Sequence, residues 1–405
     1  MNRLPCSSPQ KRSSAGRPSI GRPSIGHSID ALDAASHYPI RPPKNIQPVD
    51  DWMFDNLAGG CALPETSVTT YHQITVPGRG PIRWQGEYLR ECFATDDGPA
   101  EFYRRRKHWR AFAESLVRPK SRMTNPALCI TDNWSCGYFH WICDALPRLL
   151  LAEQVRSTAE LTLLLPAAAK RYGFIRDSLD AFDLADVRQL SRFQRVHCDE
   201  LVLPSHAAVT GTFRPDLIDA MRDRFWKHVS AGSTDGTAAP CTRRVFLSRR
   251  DANRRRVVNE AELASVLTNH RFDSVAADSY SWREQVELFS STSHLVSIHG
   301  AGLTNMIAMP PAGRVLEIRD RVDLTPNCYV TLATAAGQDY YYAFSDRVNP
   351  QQCVHHGDVR IDPAELDRSL DQMLNDPVSE FSYRRMRTSA NTPRTENRPT
   401  PLHSS

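Results

Sequence analysis

The segment Asn133-Trp-Ser-Cys-Gly-Tyr-Phe-His140-Trp-Ile-Cys-Asp144-Ala-Leu-Pro-Arg148 places an imidazole four residues before a carboxylate. On a helix both side chains face one way, so the acid can orient the ring and make it a general base. The same spacing also serves an ordinary structural hydrogen bond. A second segment, Ser297-Ile-His299-Gly300-Ala-Gly302-Leu-Thr-Asn305, sets two glycines at the exit of an apolar run. Glycine there lets the backbone approach a ligand closely. The helix that follows would aim free N–H groups at an anion, most naturally a phosphate. Glu317, near the end of the next apolar run, is placed to accept hydrogen bonds from ribose hydroxyls. The plainer alternative is that the glycines only permit tight strand–helix packing. The third feature is a cluster of arginines at 243, 244, 249, 250, 254, 255 and 256, opposed only by Asp251. A guanidinium fork holds two phosphate oxygens at once. Arg249 and Arg254 are expected to reach a diphosphate, and the others to be solvated.

Other chemistries fit these letters less well. Cys129, Cys136, His140 and Cys143 could share a helical neighbourhood, but paired CxxC knuckles are absent, so buried thiols are expected rather than zinc. A dinucleotide fingerprint would need a third glycine where Asn305 stands, in the first strand–helix unit rather than a late one. An esterase-type oxyanion segment would require a GxSxG elbow, which the chain lacks. The remaining option is a sugar-nucleotide site in the second domain of a two-domain transferase.

The elements that must carry these residues alternate. Arg243–Ser248, Arg271–Val275, His294–His299, Arg314–Arg319 and Asp339–Phe344 read as strands. Helices are expected at Asn259–Leu267, Ser281–Ser291, Gly300–Met309 and Asn327–Ala336. Short links between them predict a doubly wound parallel sheet. Residues 51–230 are less regular: strands at Tyr71–Val76 and Trp84–Phe93, then a charged helix at Glu101–Leu116. The basic run from Arg104 to Lys107 falls on an exposed face of that helix. A strand at Ala127–Thr131, a helix from Gly137 to Gln154, and strands at Leu161–Leu165 and Arg195–Leu203 follow. Pro147 should kink the helix that begins at Gly137. Residues 231–242 hold almost no large side chain and predict a linker. The expected layout is thus an arm (1–50), an acceptor-side α/β domain (51–230), the linker, a nucleotide-binding domain (243–375) and a tail (376–405).

The formal charge of +4 on 405 residues narrows little by itself, because of where it lies. Residues 1–50 contain seven basic and three acidic side chains, so that stretch accounts for the whole excess and the body is close to neutral. Stable nucleic-acid binding is therefore not expected. The same stretch holds eight of the 28 prolines and a tandem Gly-Arg-Pro-Ser-Ile, and is expected to be disordered. No apolar run is long enough to span a membrane, which leaves peripheral association open. With no apolar leader and ten dispersed cysteines, a cytoplasmic location is expected.

Together these segments resemble glycosyltransferase family 61. FHWICDALPRLL is similar to its HW…D.LPRL signature, VFLSRRDANRRRVVNEAEL to its SR…R…NE.el segment, and SIHGAGLTNMIAMPPAGRVLEI to its HGAGLtN…P.g..v.Ei block, in the family's order. The resemblance implies an α/β, GT-B-type fold, two Rossmann-like domains facing across a cleft. It also implies an inverting transfer from a nucleotide-sugar donor, such as a UDP-sugar, to a hydroxyl of a glycan acceptor. No cofactor and usually no essential metal go with it. The motif positions map to His140 and Asp144 as catalytic groups, and to Arg249, Arg254, Asn259, Glu260, His299, Gly300, Gly302, Asn305 and Glu317 on the donor side. With three arginines in succession at 254–256, a register shift by one stays open. A soluble bacterial-type enzyme of surface or capsular polysaccharide assembly is expected. The rival is a non-catalytic nucleotide- or RNA-binding protein that uses the arginine cluster.

Overall fold

The computed structural model describes residues 26–104, 120–231, 241–250, 252–321, 327–354 and 356–377. It is a mixed α/β structure built on two large sheets. The first contains β1 (His27–Ala31), β4 (Ser67–Pro77), β7 (Lys120–Met123), β8 (Ala127–Leu128), β9 (Thr162–Leu165), β10 (Asp186–Gln189) and β11 (Arg195–Pro204). Its order is β1-β4-β11-β8-β9-β10, with β7 also on β11. β1 and β4 run antiparallel to their partners, and the rest pair in parallel. Two small ribbons, β2 (Ser36–Tyr38) with β3 (Cys61–Leu63) and β5 (Arg83–Trp84) with β6 (Glu87–Tyr88), flank it.

The second sheet holds β12 (Arg243–Leu247), β13 (Asp273–Val275), β14 (Thr292–Ile298), β15 (Arg314–Asp320), β16 (Asp339–Arg347) and β17 (Val359–Arg360). Its order is β13-β12-β14-β15-β16-β17, parallel throughout except for β17. β14 and β15 are largely buried on both faces, the condition that makes a parallel strand legible. Helices α5 (Glu260–Asn269), α6 (Trp282–Ser290), α7 (Cys328–Ala335) and α8 (Pro363–Asn375) cover this sheet, after α1 (Gly98–Arg104), α2 (Leu146–Val155), α3 (Gly173–Leu179) and α4 (Pro215–Ser230) earlier in the chain. α6 starts with a full capping box between Ser281 and Glu284.

The two sheets are joined by a continuous apolar core. α4 packs on α6 and on the turn at Ala301–Ala308. From α4, Arg222 donates to the carbonyls of Ile307 (3.0 Å) and Ala336 (2.7 Å), and Trp226 donates to that of Ala308 (2.7 Å). Among the described residues, no helix is long and apolar enough to cross a membrane.

Several expectations need correction. Residues 26–50 are not a disordered arm: β1 pairs with β4, and Arg41 forms an ion pair with Asp339 at 3.1 Å. The stretch Trp84–Phe93 is a tight hairpin and a 3₁₀ turn rather than a strand, because Gln85 and Gly86 both take positive φ. Gly300–Met309 forms a 3₁₀ helix over Ala301–Ala308, not an α-helix. Arg105–Leu116 of the predicted charged helix, linker residues 232–240, and residues 1–25 and 378–405 lie outside the described residues.

Candidate active site

His140 sits in a helical stretch that starts at Tyr138, widens into a π turn at Trp141–Ala145 and continues as α2. Pro147, at the start of α2, has no N–H to donate, and the wider turn accommodates that missing bond. The π turn keeps His140 and Asp144 aligned. His140 Nδ1 lies 2.8 Å from Asp144 Oδ2, and Thr210 Oγ1 donates to the same oxygen at 2.9 Å. The Asp144 side chain is 6% exposed and that of His140 27%. A carboxylate held this way fixes the tautomer with hydrogen on Nδ1, and Nε2 is then the nitrogen that can accept a proton. The Trp134 indole packs beside the imidazole, ring centroids 5.0 Å apart.

Behind this helix, Arg148 is fully buried and donates to the carbonyls of Pro204, Ile130 and Glu91. It ties the helix to the ends of β8 and β11. The loop leading in is organised by Asp132, which accepts from the backbone of Trp134 (2.8 Å) and Ser135 (2.9 Å) and pairs with His206 at 3.1 Å. Burial pushes the Asp132 carboxyl up, but these bonds and nearby Arg148 outweigh it and hold the group at about 2.

On the second sheet, His299 leaves β14 with its Nδ1 bonded to Glu317 Oε1, and Tyr340 donates to the other oxygen of Glu317. Burial alone would raise the Glu317 carboxyl; His299, Arg319 and Tyr340 together hold it below its ordinary value. Glu317 is 2% exposed and spends both oxygens inside the protein, on His299 and Tyr340, rather than facing solvent as expected of a ribose contact. It positions His299 instead. Val315, Glu317 and Arg319 alternate on β15 with Leu316 and Ile318, and this pleat turns Glu317 toward Tyr340 and away from solvent.

Gly300 is extended and buried, and a Cβ there would stand 3.1 Å from the Arg255 guanidinium. Gly302 lies against Leu247, where a Cβ would stand 3.0 Å from its side chain. Asn305 is 5% exposed; it accepts from the Tyr138 hydroxyl at 2.6 Å and donates to Gln285 at 3.0 Å. Tyr138 begins the His140 helix, so this bond joins the two motifs directly. Aromatic contacts make a second bridge, from Phe139 to Tyr329 (5.8 Å) and from Tyr329 to His299 (5.2 Å).

Arg249 donates to the carbonyls of Arg254 (3.0 Å) and Arg255 (3.2 Å), and burial lowers its guanidinium from the ordinary value. It lines a cavity of about 300 Å³ with Tyr138, Asp278, Gln285, Ser297 and Asn305. Arg254 is exposed and contributes only its carbonyl to these bonds. Arg255, one residue on, reaches the His299 carbonyl at 2.7 Å. The other arginines disperse, Arg244 to the His270 carbonyl, Arg250 to Glu260 and Arg256 to Asp358.

Two further residues expected on the donor side are buried at the start of α5. Asn259 is 3% exposed and exchanges two hydrogen bonds with the Ile361 backbone, so it fastens the start of α5 to the segment before α8. Glu260 is buried against Ser274 and Arg250. Arg255 is the one-residue register shift left open among Arg254–Arg256. Thr210, Tyr138 and Tyr340 carry no expectation from the sequence, and only Tyr138 lies inside a motif that could have signalled it. All nine described cysteines are free. The potential ligands that do converge among the described residues are His270, Asp367 and Asp371, not the Cys129–Cys143 group.

Residues 138–316 match the family described as Glycosyltransferase 61. Over 115 residues, 27% of this chain and 22% of the relative, the chain is 35% identical to the EGF domain-specific O-linked N-acetylglucosamine transferase of Drosophila melanogaster. It is 29% identical to the Pan troglodytes protein of the same name over 146 residues, covering 35% and 26%. Against protein O-linked-mannose beta-1,4-N-acetylglucosaminyltransferase 2 of Bos taurus it is 32% identical over 124 residues, covering 28% and 21%. The matched stretch spans about a quarter of the length of these relatives. Residues 138–316, which carry the His140–Asp144 pair, His299 and Asn305, are thus similar to glycosyltransferase family 61.

Proposed function

We propose that the protein is an inverting glycosyltransferase, moving a sugar from a UDP-type nucleotide-diphosphate donor to a hydroxyl of a glycan acceptor. The observation that carries this reading is the Tyr138–Asn305 bond. It seats the His140 helix against the glycine turn, so a base and an anion-sized cavity lie side by side. The names of the matched relatives, both N-acetylglucosamine transferases, support the reaction class. Two sheets meeting at this site support a GT-B-type arrangement, with the acceptor on the side of the first sheet and the donor on the second.

In this reading His140 Nε2 takes the proton of the acceptor hydroxyl while Asp144 and Thr210 stabilise the imidazolium that forms. The acceptor oxygen bonds to the anomeric carbon as the bond to the diphosphate breaks, and the nucleotide leaves with the electron pair. Attack opposite the leaving group inverts the centre. Arg249 and His299, oriented by Glu317, stabilise the departing charge. The physiological setting proposed is surface or capsular polysaccharide assembly in the cytoplasm.

Calorimetry against a panel of nucleotide sugars tests the donor side. A UDP-sugar should bind saturably and Arg249→Ala should weaken it roughly tenfold, a loss of about 1.4 kcal/mol. His140→Ala should retain that affinity and lose turnover by about 10²–10⁴. Full turnover in both His140→Ala and Asp144→Ala would remove the base assignment.

A further inference from the structure

A second cavity, of about 330 Å³, lies on the first sheet's other face, beneath the segment that carries β5, β6 and α1. Its floor is apolar, with Ile82, Phe93 and Leu164, and its rim is polar, with Glu101, Thr131 and Asn133. Trp134 belongs to its wall, is 41% exposed despite its size, and is the residue whose ring packs on His140. One side chain therefore links this cavity to the imidazole that the transfer reaction needs.

The Trp134 loop is built before any ligand arrives. Asp132 holds the backbone N–H of Trp134 and both the N–H and the hydroxyl of Ser135, while its second oxygen is fixed by His206. Asn133 faces inward as well, accepting from the Ala94 backbone at 2.9 Å. A large exposed aromatic on a fixed loop is a platform for a ligand that is apolar on one face and polar at its edge. A pyranose has that character: its C–H face lies on an indole, and its hydroxyls meet carboxylate, amide and hydroxyl groups around the rim. A lipid chain would not use the rim, and a charged phosphate would find Arg79 in the lining but meet Glu101 and Asp132 as well.

We propose that this cavity is the acceptor-sugar subsite, with a pyranose stacked on Trp134 and its reacting hydroxyl directed to His140 Nε2. The inference rests on the transferase reading and names the substrate class that its acceptor side takes. Trp134 is a specificity-determining residue here, since it binds the acceptor and moves no proton.

The test uses the full chain and the methyl glycosides of N-acetylglucosamine, mannose, xylose, galactose and glucose as probes. Tryptophan fluorescence and saturation-transfer NMR read the binding. At least one glycoside should quench saturably, Trp134→Ala should weaken it tenfold or more, and Trp134→Phe should restore most of it. UDP affinity, measured in parallel, should stay within about twofold of wild type in both variants. Binding that survives Trp134→Ala overturns the proposal, as does failure of all five glycosides. Quenching by an unglycosylated Ser/Thr peptide alone overturns the choice of a sugar. If UDP itself does not bind, the transferase reading fails while the glycoside result still judges the subsite.

Discussion

Asp144 receives two bonds on one oxygen, from His140 and from Thr210, and the second contact makes a prediction that the motif alone does not. Thr210→Val keeps the volume and removes one donor worth about 1 kcal/mol. Turnover should fall about fivefold with donor affinity unchanged, as measured by steady-state kinetics alongside calorimetry. An unchanged kcat would leave Thr210 as packing. His140, Asp144 and His299 were legible in the sequence, because an i,i+4 pair and a polar residue at a strand exit are local signals. Thr210 was not, since it reaches Asp144 from a loop 66 residues away and only the fold brings them together. Glu317 was visible as a residue but its contact with Tyr340 was not. Strand position fixes where a carboxylate lies along the sheet, while the pleat decides whether it meets solvent or Tyr340.

At the scale of elements, β14 carries an unusual passenger. His294 is part-buried beside Arg314 and Arg244, with Nδ1 on Ser293 and Nε2 without a hydrogen-bond partner. Burial and these two arginines lower its pKa from the ordinary 6.5 to about 4. The unfolded chain takes up a proton near pH 6.5 that the folded strand refuses until about pH 4. The stability His294 permits is therefore complete above pH 6.5 and is lost as pH falls toward 4, by up to about 1.4 kcal/mol per unit in that window. Denaturant titrations at pH 7, 5.5 and 4 should show a smaller acid loss in His294→Leu than in wild type; parallel slopes would refute the assignment. The central strands of the second sheet were readable because both faces are buried and apolar residues such as Val245–Leu247 and Leu295–Val296 run together in them. β1 and β10 escaped notice for the opposite reason: their side chains are largely exposed and carry no alternation. Such edge strands exist because a neighbour offers backbone partners, which no local pattern encodes.

For the whole molecule, the decisive surprise is the N-terminal stretch, whose prolines and basic residues suggested disorder. β1 extends the first sheet, and a few residues later the chain crosses to the edge of the second. There Lys44 N–H donates to the Tyr340 carbonyl at 2.8 Å, and Asn45 acts like a strand partner. Its Nδ2 donates to the Tyr342 carbonyl at 2.6 Å and its Oδ1 accepts from the Tyr342 N–H at 3.0 Å, while Asp50 accepts from the Tyr342 hydroxyl at 2.6 Å. β17 covers β16 only at Asp346–Arg347, so this segment shields the remaining edge of a buried strand. Composition misled because a single amide can satisfy two backbone groups without any hydrophobic period. Asn45→Ala should leave both groups of Tyr342 unpaired and cost about 2–4 kcal/mol, and Arg41→Ala, which takes a largely buried ion pair from Asp339, should cost at least as much. Asn45→Asp keeps the acceptor but not the donor and should fall between Asn45→Ala and wild type. Urea midpoints measured on the three variants decide the order. Because α4 and the shared core already join the sheets, UDP affinity should survive Asn45→Ala under native conditions. A variant that kept its stability but lost UDP binding would mean that the strap serves the donor site rather than the sheet edge.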